Sequence, residues 1–493
     1  MNFKTCLWVL IFLSGHLPGF TQTLEWVKNM GSPETDIGYD LARDQDGNIY
    51  STGIYYGLAN FNPNSPGPEL NIATGPDIFI QKTDPDGNFL WVKGMGGSGY
   101  DFTRSIEVDL SGNVTAVGFF SETVDFDPGA GVFNLTASAM PFNSGIFVQK
   151  LDTDGNFLWA LSIGAPQGFT GDAHTHVLDA AGNIYVIGRF TGSADFDPGD
   201  GVFNLSSSGG FDFFVLKLDA NGSFIWAKSI GGIGIDFASS LVLDNTGNII
   251  MTGSFKGTVD FDPGPGTFTM TTNALSYSGF ILKLAPDGNF IWAKNINSVY
   301  EVRTTALTLD QQGNIYTTGA FVDVTDFDPG PEVYNLTDFD NFGYMDAFIL
   351  KLDADGNFTW VVTMGGVGET KGNSIATDID GNVYTTGTYG YYFFGPEEVD
   401  FDPGPGEYYL SNSSGEFDMY VQKLDANGNF IWAHGIGNGN LTWEEGNKIL
   451  VDQDRNLYLT GSFEKGDFNP GSEINSPQTN GPFTNSDIFI LKW

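Results

Sequence analysis

Only one cysteine, Cys6, occurs in the chain, and it sits inside an apolar N-terminal segment. Lys4, the run from Leu7 to Leu13 and then Pro18-Gly-Phe-Thr21 have the layout of a secretory leader. Residues 1–21 are therefore expected to be removed, leaving a mature domain over 22–493. The apolar run is too short to cross a bilayer, and no other stretch reads as transmembrane. Cys6 lies well before the cleavage region, so no lipid anchor is expected. A mature chain without cysteine excludes disulfides and thiol chemistry, and an exported protein without disulfides points to a bacterial export route. Cations are scarce as well: 21 Lys and Arg stand against 60 Asp and Glu, a net charge of −39 that becomes −40 once Lys4 is removed. Phosphate backbones and anionic lipid surfaces repel such a chain, which excludes nucleic acid as a main partner. Helical periodicity is missing throughout. So are G-x-S-x-G, H-E-x-x-H and the phosphate-binding G-x-x-x-x-G-K.

What the chain has instead is repetition. Anchoring tryptophans at Trp26, Trp91, Trp159, Trp226, Trp292, Trp360 and Trp432 are spaced 65, 68, 67, 66, 68 and 72 residues apart. A second landmark, D-F-[DN]-P-G, begins at Asp125, Asp195, Asp260, Asp326, Asp400 and Asp467, with a degenerate first copy from Asn60 to Asn64. Both landmarks count to seven. Each unit carries four strand-like runs, alternating and rich in β-branched or aromatic residues. In the unit that shows the pattern most completely these are 239–244, 248–255, 279–284 and 290–295. The turns Asp244-Asn-Thr-Gly-Asn248 and Pro286-Asp-Gly-Asn289 place Gly where a three-residue hairpin needs a left-handed residue. Seven four-stranded antiparallel units without helices predict an all-β fold, a single seven-bladed β-propeller. A linear solenoid would use shorter repeats and distinct caps. The blades are expected at 36–96, 101–164, 171–232, 236–297, 301–366, 370–437 and 444–493 plus 24–31. In that last blade Leu24–Met30 supplies the fourth strand beside Phe489–Lys492 and closes the ring. A monomer is expected.

The runs Gly313-Asn-Ile-Tyr-Thr-Thr-Gly319, Gly381-Asn-Val-Tyr-Thr-Thr-Gly387 and Asp346-Ala-Phe-Ile-Leu-Lys-Leu-Asp353, followed by G-N-F-x-W, resemble the bacterial secreted β-propeller repeat called SBBP. The resemblance covers roughly residues 24–493. It implies an extracytoplasmic or cell-surface protein and assigns no activity. The DFDPG segment is a departure from that repeat, and no sorting domain follows the last strand.

Candidate chemistry falls in four places. The first is the set of DFDPG aspartates, Asp125, Asp127, Asp195, Asp197, Asp260, Asp262, Asp326, Asp328, Asp400, Asp402 and Asp467. In an extended D-F-D the two carboxylates share a face and Phe takes the other. The arrangement suits a turn capped by Asp or, as the alternative, calcium, the one cofactor the sequence suggests. The second is an acid at the start of each unit's first strand: Asp36, Asp101, Asp172, Asp236, Glu301, Glu369 and Glu444. Together with the DFDPG loops these should form an acidic face. The third is the aromatic insertion of blade six, with Tyr389, Tyr391, Tyr392, Phe393 and Phe394, and the off-pattern Trp443 in the connector to blade seven. Flat apolar rings of this kind would stack on a sugar or grip a partner residue. The fourth is His174 and His176, two apart on a strand, which read better as a packed pair than as a zinc site. The expected function is a secreted or cell-surface, non-catalytic binding or scaffold module that takes a protein or glycan ligand on the acidic face. The alternative is a carbohydrate-active hydrolase or lyase using carboxylates of that face.

Overall fold

Most hairpin turns within the blades are built by one aspartate; the turn that opens with Ala285 instead uses Asp287. In the first, Asp44 receives the amide of Asn48 on Oδ1 at 2.8 Å, and the Asn48 side chain bonds Oδ2 at 2.7 Å. Gly47 sits between them at φ 86°. The same Asp-to-Asn closure recurs at Asp109, Asp152, Asp353 and Asp425. The sequence reading of these segments as turns is therefore correct. A computed structural model describes residues 23–62, 69–70, 75–137, 144–164, 170–272, 276–339, 343–390, 397–412, 417–437, 443–464, 468 and 485–493. Residues 1–21, read as a leader in the sequence, lie outside them. Among the described residues every regular element is a strand, and no helix is long and apolar enough to cross a membrane.

The strands form seven antiparallel blades. Blade four shows the plan, with Phe237–Leu243 innermost, then Ile249–Phe255, Ser278–Leu284 and Phe290–Ser298 at the rim. Blade seven is closed by the N-terminal segment. Trp26–Met30 runs antiparallel to Asp487–Lys492, pairing Trp26 with Lys492 and Met30 with Ile488. The edge left by the last three strands is covered in this way.

Blades are glued face to face by apolar clusters that span neighbours, and the anchoring tryptophans extend this at the rim. Trp91 lies under the turn glycine of the next blade, where a Cβ on Gly155 would stand 3.2 Å from the indole; Trp226 and Gly288 repeat the contact at 3.2 Å. That glycine is required twice, for its positive φ and for the ring beneath it.

Flat blades radiating from an axis diverge toward the rim, and the DFDPG segments fill the resulting wedges. Phe126, Phe196, Phe261, Phe327 and Phe401 are fully buried, each between its own blade and the preceding one. The sequence placed these loops on one end of the ring. They leave from that end but fold back along the rim. Asp326 pairs with Asn297 at the end of the preceding blade's outer strand, while Tyr334 reaches Phe358 at the start of its own, 4.9 Å between ring centroids. The reason is the phenylalanine, which finds apolar cover in the wedge and none on the end face.

Candidate functional site

The aspartates of the hairpins are engaged by their own turns. Asp125 Oδ1 accepts the amides of Asp127 and Phe133 at 3.1 and 2.8 Å, and Asp127 Oδ1 accepts that of Gly129 at 2.8 Å. The same three bonds recur at Asp195 and Asp197, Asp260 and Asp262, Asp326 and Asp328, and Asp400 and Asp402. Asp467 lies outside the described residues. These bonds cap the turn through Oδ1 of each aspartate, and among the described residues no hydrogen bond is made to Oδ2.

The acids that open the first strands do not form an exposed carboxylate ring. Asp36, Asp101 and Asp236 are fully buried. Asp101 accepts the amides of Gly97 at 2.9 Å and Ser121 at 3.2 Å, tying the previous blade's exit loop to the end of its own second strand. Asp236 does the same with Gly232 and Lys256. Burial, opposed by these amides, pushes Asp36 and Asp101 up to about 7 and Asp236 up to about 6. Glu301 and Glu369 pair with Arg303 and Lys371.

Of the blade-six aromatics, Tyr391, Tyr392, Phe393 and Phe394 lie outside the described residues. Tyr389 is 3% exposed and packs edge-on against Phe401, 5.7 Å between centroids. It occupies the place of Phe190 in blade three, which packs on Phe196. It is therefore a core residue rather than a presented ring. Trp443 is 37% exposed and leans on Phe417 at 5.2 Å. His176 is buried, with Nδ1 3.1 Å from the Ser105 hydroxyl, and burial pushes it down to about 4. It is a packed neutral group. His434 stacks on Trp432.

The site that stands out was singled out in the sequence only in part, at His174 and Asp172. Every first strand has a β-bulge five residues before the aspartate that opens its turn to the second strand, which leaves Tyr39, Arg104, His174, Ser239, Thr305, Asn373 and Asn447 without a partner residue in the ladder. Bulges re-aim side chains and are common beside functional sites. These seven form a belt around the channel mouth. In blades five to seven the belt is tied down: Thr305 donates to the Gly372 carbonyl, Asn373 to that of Gly446 at 3.2 Å, and Asn447 to that of Gly38 at 2.9 Å. From blade one to blade three its chemistry changes. The Arg104 guanidinium lies 5.0 Å from the Tyr39 ring and 5.7 and 5.8 Å from the stacked Phe102 and Phe119. His174 Nε2 is 3.4 Å from Asp172 Oδ2, and Arg189 lies 3.9 Å from the same oxygen and 5.1 Å over Phe211. Burial lowers the His174 pKa; Asp172 opposes this and the two arginines reinforce it. The Nε atoms of Arg104 and Arg189 and Oδ1 of Asp172 are buried without hydrogen-bond partners. Three of the five arginines in the chain, Arg104, Arg189 and Arg303, belong to this end of the ring. The signal was available: aligning the seven first strands shows Tyr39, Arg104 and His174 where the other four units have Ser, Thr or Asn.

The closed ring defines the molecule as a seven-bladed β-propeller. Within that class it is a β-propeller repeat protein, and the sequence model of the SBBP β-propeller repeat matches residues 364–388. An uncharacterized WD repeat-containing protein of Acanthamoeba polyphaga mimivirus is 25% identical over 466 residues, covering 81% of this chain and 32% of that protein. The regulatory protein FlaEY of Caulobacter vibrioides is 25% identical over 190 residues, covering 38% of this chain and 18% of that protein. The chain thus spans a third or less of either. Among solved structures, a Dyadobacter fermentans protein of unknown function aligns over 97% of this chain and 99% of its own, at 9% identity and a TM-score of 0.38. The Cps50 (Swd1) β-propeller domain of Myceliophteria thermophila covers 94% and 99%, at 9% identity and 0.39.

Proposed function

We propose that the protein is an exported, non-catalytic recognition module that takes a protein or glycan ligand bearing an acidic group at the channel mouth over blades one to three. The observation that carries this reading is the contrast within the bulge belt. Three blades tie their belt residue to a neighbour's backbone, whereas Arg104 stands among the Tyr39, Phe102 and Phe119 rings and, beside it, His174 and Arg189 share the single carboxylate of Asp172. A guanidinium with free donors is suited to a carboxylate, which it binds in a charge-assisted fork. The hydrolase or lyase alternative draws no such support, because Asp36, Asp101 and Asp236 are buried and bonded to backbone amides.

The test is a screen of the mature protein against acidic and neutral oligosaccharides and acidic peptides, repeated with Arg104→Gln/Arg189→Gln. The reading expects an acidic hit whose affinity falls about a hundredfold in the double variant and weakens with added salt. Hits that are indifferent to both changes would exclude the mouth. Export rests on the leader, and N-terminal sequencing of protein recovered outside the cytoplasm tests it. Calcium at the DFDPG hairpins would have to use the remaining Oδ2 oxygens and water to reach its six to eight ligands. Calorimetric titration of metal-free protein should then show heat and a rise in melting temperature; silence at millimolar calcium leaves the motif a turn.

A further inference from the structure

At the rim, the residue two positions after each anchoring tryptophan decides how the seam between blades is finished. It is a lysine in four units, and the stems of Lys28, Lys93, Lys228 and Lys294 lie across the next blade's turn glycine, with Cε 2.9, 2.5, 3.2 and 2.9 Å from where a Cβ would stand. Between blades two and three the residue is Leu161. Its Cδ2 reaches Gly222 at 3.0 Å and the side chain ends there. A groove of about 460 Å³ opens beside it. The open volume falls in the range of small-molecule sites.

The lining of this groove has a definite chemistry. Trp159 supplies a flat apolar wall, and Asp197, Asp200 and Asn221 supply polar groups. Asp197 spends Oδ1 on the Gly199 amide and keeps Oδ2. Asp200 is exposed and off-pattern, standing where the other complete hairpins have Ala130, Pro265, Pro331 and Pro405. Gly199 and Gly201 have no side chains to obstruct approach to the hairpin backbone. An aromatic wall faced by carboxylate and amide groups matches a sugar ring, whose C–H face is apolar and whose edge is hydroxyl. Two carboxylates without a facing cation would repel an anionic sugar. We infer that the groove between blades two and three is a carbohydrate site for a neutral sugar unit of an oligosaccharide. It does not depend on the channel mouth, because neither Arg104 nor Arg189 lines it.

The experiment titrates cellotriose, mannotriose and triacetylchitotriose, with trigalacturonate as the charged control, into the mature protein by calorimetry. Leu161→Lys installs the residue that four other seams already carry, and Asp200→Ala installs the residue of blade two. Both changes are compatible with the repeat. The inference expects one-to-one binding of at least one neutral trisaccharide, with affinity reduced about tenfold or more in each variant and unchanged in Arg104→Gln. Should Leu161→Lys fail to fold, Asp200→Ala carries the comparison. No binding of any neutral trisaccharide at millimolar concentration would overturn it. So would preferential binding of trigalacturonate, or binding insensitive to Asp200→Ala.

Discussion

The glycine at the fifth position of each second strand, preceded by Thr in five of the seven, was visible as a motif, but its cause was not. The first-strand bulge pushes a carbonyl against it: a Cβ on Gly188 would lie 2.0 Å from the Asp172 oxygen, and one on Gly118 1.9 Å from that of Phe102. Nothing in a single strand's sequence shows a bulge, since it is a property of register between two. Gly188→Ala should cost about 3 kcal/mol as backbone is forced apart. Gly257→Ala, at φ 86° in open space, should cost about 1 kcal/mol from the left-handed conformation alone. Urea denaturation of the two variants checks the order, and equal losses would refute the packing explanation. The turn aspartates and the capped DFDPG were legible because their hydrogen bonds are local. Tyr389 was misread because it adjoins an insertion, whereas its partner Phe401 lies beyond that insertion.

The buried acids belong to the same scale. Burial pushes Asp36, Asp77, Asp101 and Asp418 up to about 7, and at Asp77 the nearby Asp101 adds to it. A carboxyl whose folded pKa exceeds its unfolded value near 3.9 holds its proton better when folded. The stability it contributes is present at low pH and lost as pH rises from about 4 to 7. At Asp44, Asp109 and Asp452 burial acts upward too, but hydrogen bonds from Asn48, Asn113 and Asn456 outweigh it and the pKa falls. Their contribution is lost on acidification below about 4. The melting temperature should therefore peak in mildly acidic buffer and decline toward pH 8. A flat calorimetric profile between pH 5 and 8 would contradict this.

Among elements, the rim hairpin was the least legible. Its composition announced a turn and a buried phenylalanine, but its direction depends on the wedge between two blades, which no single repeat contains. Phe261 is fully buried and meets Phe213, Phe255 and Phe280, with centroids at 6.3, 5.1 and 5.1 Å. Phe261→Ala should cost about 3–5 kcal/mol. Phe268→Ala, at the exposed end of the same hairpin (39% accessible), should cost far less. Comparable losses would mean that the hairpin does not fill the wedge. The four strands of each blade were readable from alternation and turn spacing, to within one to three residues at their ends in blade four. The bulge belt was hidden because the pattern that reveals the strands also averages away the residues that differ among them.

At the scale of the molecule, a ring stands or falls by its last seam. Seven near-identical units could stack in a line with free ends or close on themselves, and repetition alone does not decide. Closure is made by the pairing of Trp26–Met30 with Asp487–Lys492, supported by the Glu25–Lys492 ion pair at 2.7 Å and by an apolar cluster that joins Met30 and Ile488 to blade one. Closure also sets the channel and brings Asn447 of the seventh blade onto the Gly38 carbonyl of the first, beside Tyr39. The most direct test is hydrogen–deuterium exchange on the mature protein and on a variant lacking residues 22–31. Closure predicts strong protection of the 487–492 amides in the parent. In the variant that protection is lost, with aggregation or a large drop in melting temperature. Unchanged protection and stability in the variant would contradict the closed ring and, with it, the channel mouth built upon it.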